Sequence, residues 1–70
     1  MAEEVRAEMV ANVWKIVVAD GADVEAGDTI AILESMKMEI PVEAAESGTV
    51  TLHVAEGVVV QEGDLIAEIE

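Results

Sequence analysis

The chain has 70 residues, which is enough for one small domain. Sixteen acidic and three basic residues give a formal net charge of −13, which disfavours nucleic acid and anionic membrane surfaces as partners. There is no cysteine, so we expect neither a disulfide framework nor a cysteine-based zinc site. Hydrophobic residues make up 53% of the chain, enough to form a core despite the charge. The N-terminus lacks the features of a signal peptide, so we expect a cytoplasmic protein.

Short runs of Val, Ile, Leu and Ala alternate with Gly and Asp, a pattern typical of short strands joined by turns. We predict strands at residues 5–9, 12–19, 29–35, 38–43, 47–55 and 64–70, with short pieces at 23–25 and 59–61. The predicted fold is all-β, a flattened barrel or sandwich of two small antiparallel sheets. We expect residues 1–70 to form one domain with its core at about 9–70, and residues 1–8 to fray.

An internal repeat relates the two halves of the chain. At an offset of 36, seven of fourteen positions are identical between residues 21–34 and 57–70. Two similar halves predict two similar sheets related by an approximate two-fold axis. The Gly-x-x-Val-x-x-Gly-Asp segments predict turns in which Gly supplies a positive φ and Asp accepts from backbone amides.

The same offset predicts which strand residues point inward. Three pairs are apolar in both copies and are predicted to be core: Trp14/Val50, Ile16/Leu52 and Val18/Val54. The alternating pairs are not consistently apolar and are predicted to face solvent: Val13/Thr49, Lys15/Thr51 and Val17/His53.

The segment Glu-Ser-Met-Lys-Met, residues 34–38, lies at the centre of the chain between the two repeats. The two-fold counterpart of its Met36-Lys37 pair is the pair of chain termini. Lys37 is therefore predicted to lie at the tip of a hairpin, at the end of the domain opposite both termini. An exposed tip of this kind suits a lysine that is modified.

Motif, position and repeats together resemble the biotinyl/lipoyl attachment domain family over about residues 9–70. The match is to the biotin-carrying branch, whose motif usually reads Glu-Ala-Met-Lys-Met; Ser35 here replaces the alanine. The resemblance implies a stand-alone biotin carrier with biotin joined by an amide to Lys37. It implies biotin protein ligase as one partner, with Met36, Met38 and, more weakly, Glu34 as its recognition residues. Biotin carboxylase and carboxyltransferase subunits are the other implied partners.

The residues themselves offer no catalytic or metal site, and the resemblance implies a non-enzymatic carrier, which we expect to be monomeric when free. The three acidic residues Asp20, Asp23 and Asp28 lack the spacing of an EF-hand and are interpreted as turn residues. His53 is predicted to be exposed and inert. Two alternatives stay open: a lipoyl carrier of a 2-oxoacid dehydrogenase, and an unmodified structural or interaction module. Met36 and Met38 also have a simpler interpretation as ordinary apolar cover of the hairpin.

Overall fold

A computed structural model describes residues 3–70. Eight strands follow one another, and this part of the chain contains no α-helix and therefore none able to span a membrane. The strands are β1 (Glu3–Arg6), β2 (Ala11–Ile16), β3 (Asp23–Val24), β4 (Thr29–Ser35), β5 (Met38–Glu43), β6 (Gly48–Leu52), β7 (Val59–Val60) and β8 (Leu65–Ile69).

The strands form two four-stranded sheets of matching design. One sheet has the order β1-β8-β6-β3 and the other has the order β5-β4-β2-β7, with every neighbouring pair antiparallel. Each strand of one sheet has an equivalent in the other sheet, about half the chain length away in sequence. The predicted all-β sandwich with approximate two-fold symmetry is therefore confirmed.

The first strand differs from its prediction at 5–9. Glu3–Arg6 pairs with β8, and the chain bends away at residues 8–10. Val5 and Ala7 are buried, so the core begins before residue 9, and residues 3–6 form an edge strand where fraying was expected; residues 1 and 2 lie outside the described part. Val5 is the only apolar residue of this strand, so the sequence has no hydrophobic alternation there that would indicate its bounds.

The core consists of small aliphatic side chains held between the sheets: Val5, Ala7, Ala11, Val13, Val24, Ile30, Ala31, Leu33, Ala44, Val50, Val60, Ile66, Ala67 and Ile69. Partly buried residues pack around it, among them four of those predicted to point inward: Ile16, Val18, Leu52 and Val54. The prediction for Val50 is confirmed. The predictions for Trp14 and Val13 are wrong, because Trp14 is 46% exposed and Val13 is fully buried.

A β-bulge in β2 explains this reversal. The register of β2 against β4 shifts between Val13 and Lys15, where two residues of β2 advance against one residue of β4. Trp14 is the extra residue, and the bulge directs its side chain outward. The register of β6 against β8 has no such shift. A constant offset between the repeats therefore fails at this point.

Hydrogen bonds show how the correspondence changes across the bulge. Val13 exchanges backbone hydrogen bonds with residues 57–58, as Val50 does with residues 21–22. Val13 and Val50, 37 positions apart, are thus structural equivalents. Beyond the bulge the offset returns to 36: the Ile16 amide donates to Glu56 Oε2 at 2.9 Å, and the Leu52 amide donates to Asp20 Oδ1 at 2.8 Å.

The predicted turns are present in both halves. Gly27 and Gly63 have φ values of +93° and +89°, a region that strongly favours glycine. The neighbouring aspartates accept from backbone amides three residues earlier, at 2.9 Å for Asp28 and 2.8 Å for Asp64. These contacts fix the corners that lead into β4 and β8.

The bulge yields a direct test of the inward-facing assignment. We expect Val13→Thr to lower the free energy of unfolding by about 1–3 kcal/mol, because it places a hydroxyl without a partner in the core. Val17→Thr, the same change at a side chain that is 51% exposed, should stay within about 0.5 kcal/mol of the parent. Urea denaturation measures both values. Equal effects would show that Val13 faces solvent, as a constant offset implies.

Candidate functional site: the hairpin tip at Lys37

The turn between β4 and β5 contains two residues, Met36 and Lys37. Ser35 and Met38 pair across the hairpin and close it. Both turn residues have positive φ, +51° for Met36 and +66° for Lys37, which makes this a type I′ turn. Such turns favour Asn-Gly because residues with a larger side chain are strained in the left-handed region. Met36 and Lys37 are the only non-glycine residues among residues 3–70 with positive φ.

Lys37 is exposed to solvent, as predicted. Within residues 3–70, Arg6 forms an ion pair with Glu4 and His53 Nε2 lies 2.8 Å from Glu68 Oε1, and Lys37 takes part in neither contact. Its amine therefore has no contact in the described structure that would withhold it from a reaction partner.

The two flanking methionines are also exposed. Met36 is 93% and Met38 is 60% accessible to solvent. Ordinary apolar cover of the hairpin does not explain Met36, because almost all of its side chain lies in water. Two exposed methionines beside an exposed lysine form an adaptable apolar surface.

Glu34 lies at the end of β4, exposed, with Asn12 and Glu39 as its Cα partners on either side. Glu34 and Glu39 thus stand directly opposite one another, and like charges in this arrangement destabilise a hairpin. The pairing of Glu34 with Glu39 therefore opposes formation of the hairpin tip.

Ser35 has a structural role that the sequence did not reveal. Its Oγ donates to the Val10 carbonyl oxygen at 3.1 Å and so fastens the hairpin to the segment between β1 and β2. The only signal in the sequence is the serine itself, because the related motif has alanine here; both side chains are small, so the exchange alone does not indicate a contact. The partner, 25 positions away, is visible only in the fold.

Lys37 and the described chain ends lie at opposite ends of the molecule, which is 32 Å long. β2 begins beside the hairpin and leads away from it to β3. β3 pairs with the start of β6, which in turn exchanges hydrogen bonds with Glu70. Glu3 pairs with Ile69 at the same end. For the described ends, Glu3 and Glu70, the predicted location of the tip is confirmed.

The remaining candidates lie away from the tip. His53 Nε2 is 2.8 Å from Glu68 Oε1 at the surface. Asp20 and Asp23 serve the fold, because they accept from the Leu52 amide and the Thr49 hydroxyl. No group of three or more possible metal ligands occurs in residues 3–70.

A family model described as "Biotin-requiring enzyme", covering biotin and lipoyl attachment, matches residues 3–69. The chain belongs to the biotinyl/lipoyl attachment family. A homolog of the biotinylated protein TB7.3 from Mycobacterium leprae (strain TN) is 54% identical, over 99% of both chains. The biotin/lipoyl attachment protein of Bacillus subtilis (strain 168) is 48% identical, over 89% of this chain and 86% of that protein.

The same family fold occurs within a much larger protein. The crystal structure of Kluyveromyces lactis urea carboxylase matches with a TM-score of 0.91 and 42% identity. The match covers 100% of this chain and 6% of the carboxylase chain. The resemblance noted from the sequence is thereby confirmed for fold and family, whereas the roles assigned to Lys37, Met36, Met38 and Glu34 stay predictions.

The strained turn generates a prediction about stability. We expect Lys37→Gly to unfold with a free energy about 1 kcal/mol higher than Lys37→Ala, because glycine adopts the left-handed region without steric cost. The same pair of changes at Glu39, which lies in β5, should give the reverse order, since glycine weakens a strand. Urea midpoints of the four variants measure this. If alanine were the more stable residue at 37, the type I′ turn would be wrong.

Proposed function

We propose that the protein is a biotin carrier and that biotin is attached to it through an amide with Lys37 Nζ. The observation that supports this most directly is the exposed, unpaired amine at the tip of a strained two-residue turn. A primary amine is the group that such an amide requires, so the residue fits the cofactor. The biotinylated relative with nearly complete mutual coverage supports the same assignment.

Attachment is assigned to a biotin protein ligase. The neutral Lys37 amine attacks the acyl carbonyl of biotinyl-adenylate, the amide C–N bond forms, AMP leaves, and the amine loses a proton. Lys37 takes part in none of the side-chain hydrogen bonds or ion pairs of residues 3–70, so the group that receives this proton is assigned to the ligase. Met36 and Met38 are proposed as its apolar contact, and Glu34 as a weaker, charged one.

The domain then acts as a tether between two active sites. When attached, biotin supplies a ureido nitrogen that accepts and releases a carboxyl group. The rigid sandwich holds Lys37 outward, and the flexible arm raises the local concentration of its end group at the partner enzymes. We assign those partners to a biotin carboxylase and a carboxyltransferase, in keeping with the carboxylase in which this fold recurs.

The protein itself performs no catalysis under this proposal. A net charge of −13 makes copies of the chain repel one another, which favours a free monomer. The cytoplasm, which supplies ATP for both the ligase and the carboxylase, is the proposed location.

A lipoyl carrier is the second candidate, because the relative from Bacillus subtilis is named for attachment of either group. The two methionines beside Lys37 favour biotin, since lipoyl domains usually carry Asp-Lys-Ala at this place and this chain lacks that triplet.

Intact-mass analysis of the protein from its native cells tests the assignment. We expect an increase of one biotinyl group, located at Lys37 by peptide mapping. The chain has only one other lysine, so Lys15→Arg is a matched control that should still be modified once, whereas Lys37→Arg should remain unmodified. A lipoyl mass at Lys37 would establish the second candidate. A bare Lys37, even after incubation with ligase, biotin and ATP, would leave an unmodified interaction module.

A further inference from the structure

Four exposed apolar residues lie on the hairpin that carries Lys37 or on the segment bonded to it through Ser35: Met9, Val10, Met36 and Met38, here called the apolar collar. Met36 and Met38 belong to the hairpin, whereas Met9 and Val10 belong to the segment between β1 and β2 and are 43% and 58% exposed. The collar is thus built from two parts of the chain that are far apart in sequence. Exposed apolar side chains gathered around one reactive group are typical of an interaction site.

The two parts are held together by Ser35. Its hydroxyl donates to the Val10 carbonyl oxygen at 3.1 Å. The register of β2 against β4, which pairs Asn12 with Glu34, places Val10 alongside Met36 when it is continued to the tip. Ser35 therefore fixes the position of one half of the collar relative to the other.

The internal symmetry shows that the fold does not require these apolar residues. Ala7 and Ala44 are structural equivalents, because both are buried and each donates its amide to the carbonyl of a turn aspartate. The segment after Ala44 is Ala-Glu-Ser, residues 45–47, where the segment after Ala7 is Glu-Met-Val, residues 8–10. Both segments connect an edge strand to an inner strand, so polar residues suffice for the connection.

The segment 45–47, here called the polar copy, has different surroundings from its equivalent, residues 8–10. In that copy, the amides of Ala45 and Glu46 donate to the Glu3 carboxylate at 3.1 Å, near the chain ends. The apolar copy lies beside Lys37. Apolar residues thus occur in the copy next to Lys37 and not in the copy near the chain ends. This difference indicates that Met9 and Val10 take part in an interaction at the lysine.

We propose that Met9 and Val10 extend the ligase contact already assigned to Met36 and Met38 and act as specificity-determining residues, with Ser35 as a positioning residue. This rests on the proposed function of Lys37. An unmodified lysine side chain reaches only about 6 Å from its backbone, given bond lengths near 1.5 Å. Any enzyme that acylates it must approach the tip closely and cover the collar.

The carboxylase active sites have no such need, because they are reached by an arm already lengthened by biotin. The collar is rimmed by the exposed acidic residues Glu8, Glu34 and Glu39, so its occupant is a ligase surface with an apolar centre and basic side chains around it.

Ligase kinetics at saturating biotin and ATP, with the domain as the varied substrate, test this. We expect Met9→Ser combined with Val10→Ser to raise the KM for the domain about tenfold while kcat changes little, because binding is lost and the reacting groups are untouched. Val17→Ser is the matched control, an exposed valine just after the end of β2 that is remote from the hairpin, and it should leave both constants unchanged. Urea midpoints should show that all variants remain folded.

Ser35 is tested by a pair of substitutions. Ser35→Ala removes the hydrogen bond to Val10 and should raise the KM about threefold, whereas Ser35→Thr keeps the hydroxyl and should restore the parent value. A threonine at 35 is compatible with the strand. An effect of alanine on the urea midpoint alone, with KM unchanged, would make Ser35 merely structural and overturn its positioning role.

The outcomes separate this inference from the proposed function. If the parent protein is never biotinylated at Lys37, the proposed function fails. If the parent is biotinylated and the Met9→Ser, Val10→Ser variant has an unchanged KM, only the ligase-docking inference fails. If the variant is biotinylated normally but the loaded protein is a poorer substrate for the biotin carboxylase, the collar belongs to that partner, which also overturns the inference.

Discussion

Burial of small aliphatic side chains between two short sheets is the constraint on which the structure depends. The chain has no disulfide, and its described part has no metal-ligand cluster, so the core supplies most of the stability. Ile30, Ile66 and Ile69 are fully buried and belong to the inner strands β4 and β8. Buried side chains of both sheets form one core cluster, whereas the edge strands β1 and β5 are partly open to solvent.

The hairpin at Lys37 is stable because the core fixes both strands that lead to it. Two consecutive left-handed residues and a pair of facing glutamates each oppose formation of this tip. Pairing along β4 and β5 from Thr29 to Ser35, together with the burial of Leu33, offsets these costs. The result is a lysine whose backbone position is set by the paired strands while its side chain is exposed, which suits the tether proposed above.

Much of this arrangement follows from the sequence, because hydrophobic alternation and the internal repeat are both local signals. The repeat predicted the two sheets, the turns at Gly27 and Gly63, and the hairpin tip. It failed at Trp14 and Val13 because β2 contains one extra residue. For residues before the bulge, the inward and outward faces are the reverse of those that a constant offset of 36 assigns, whereas residues after the bulge keep the assigned faces. The contact of Ser35 with Val10 was invisible for a different reason: a hydrogen bond between distant segments has no periodicity.

The placement of the chain ends has a practical consequence. Residues 3 and 69 are paired at the end of the molecule remote from Lys37. A polypeptide fused to either terminus, or a solid support to which either terminus is coupled, would therefore leave the hairpin tip open to solution. The same geometry makes the fold portable: it can be embedded in a long chain, as in the urea carboxylase, without rebuilding the tip.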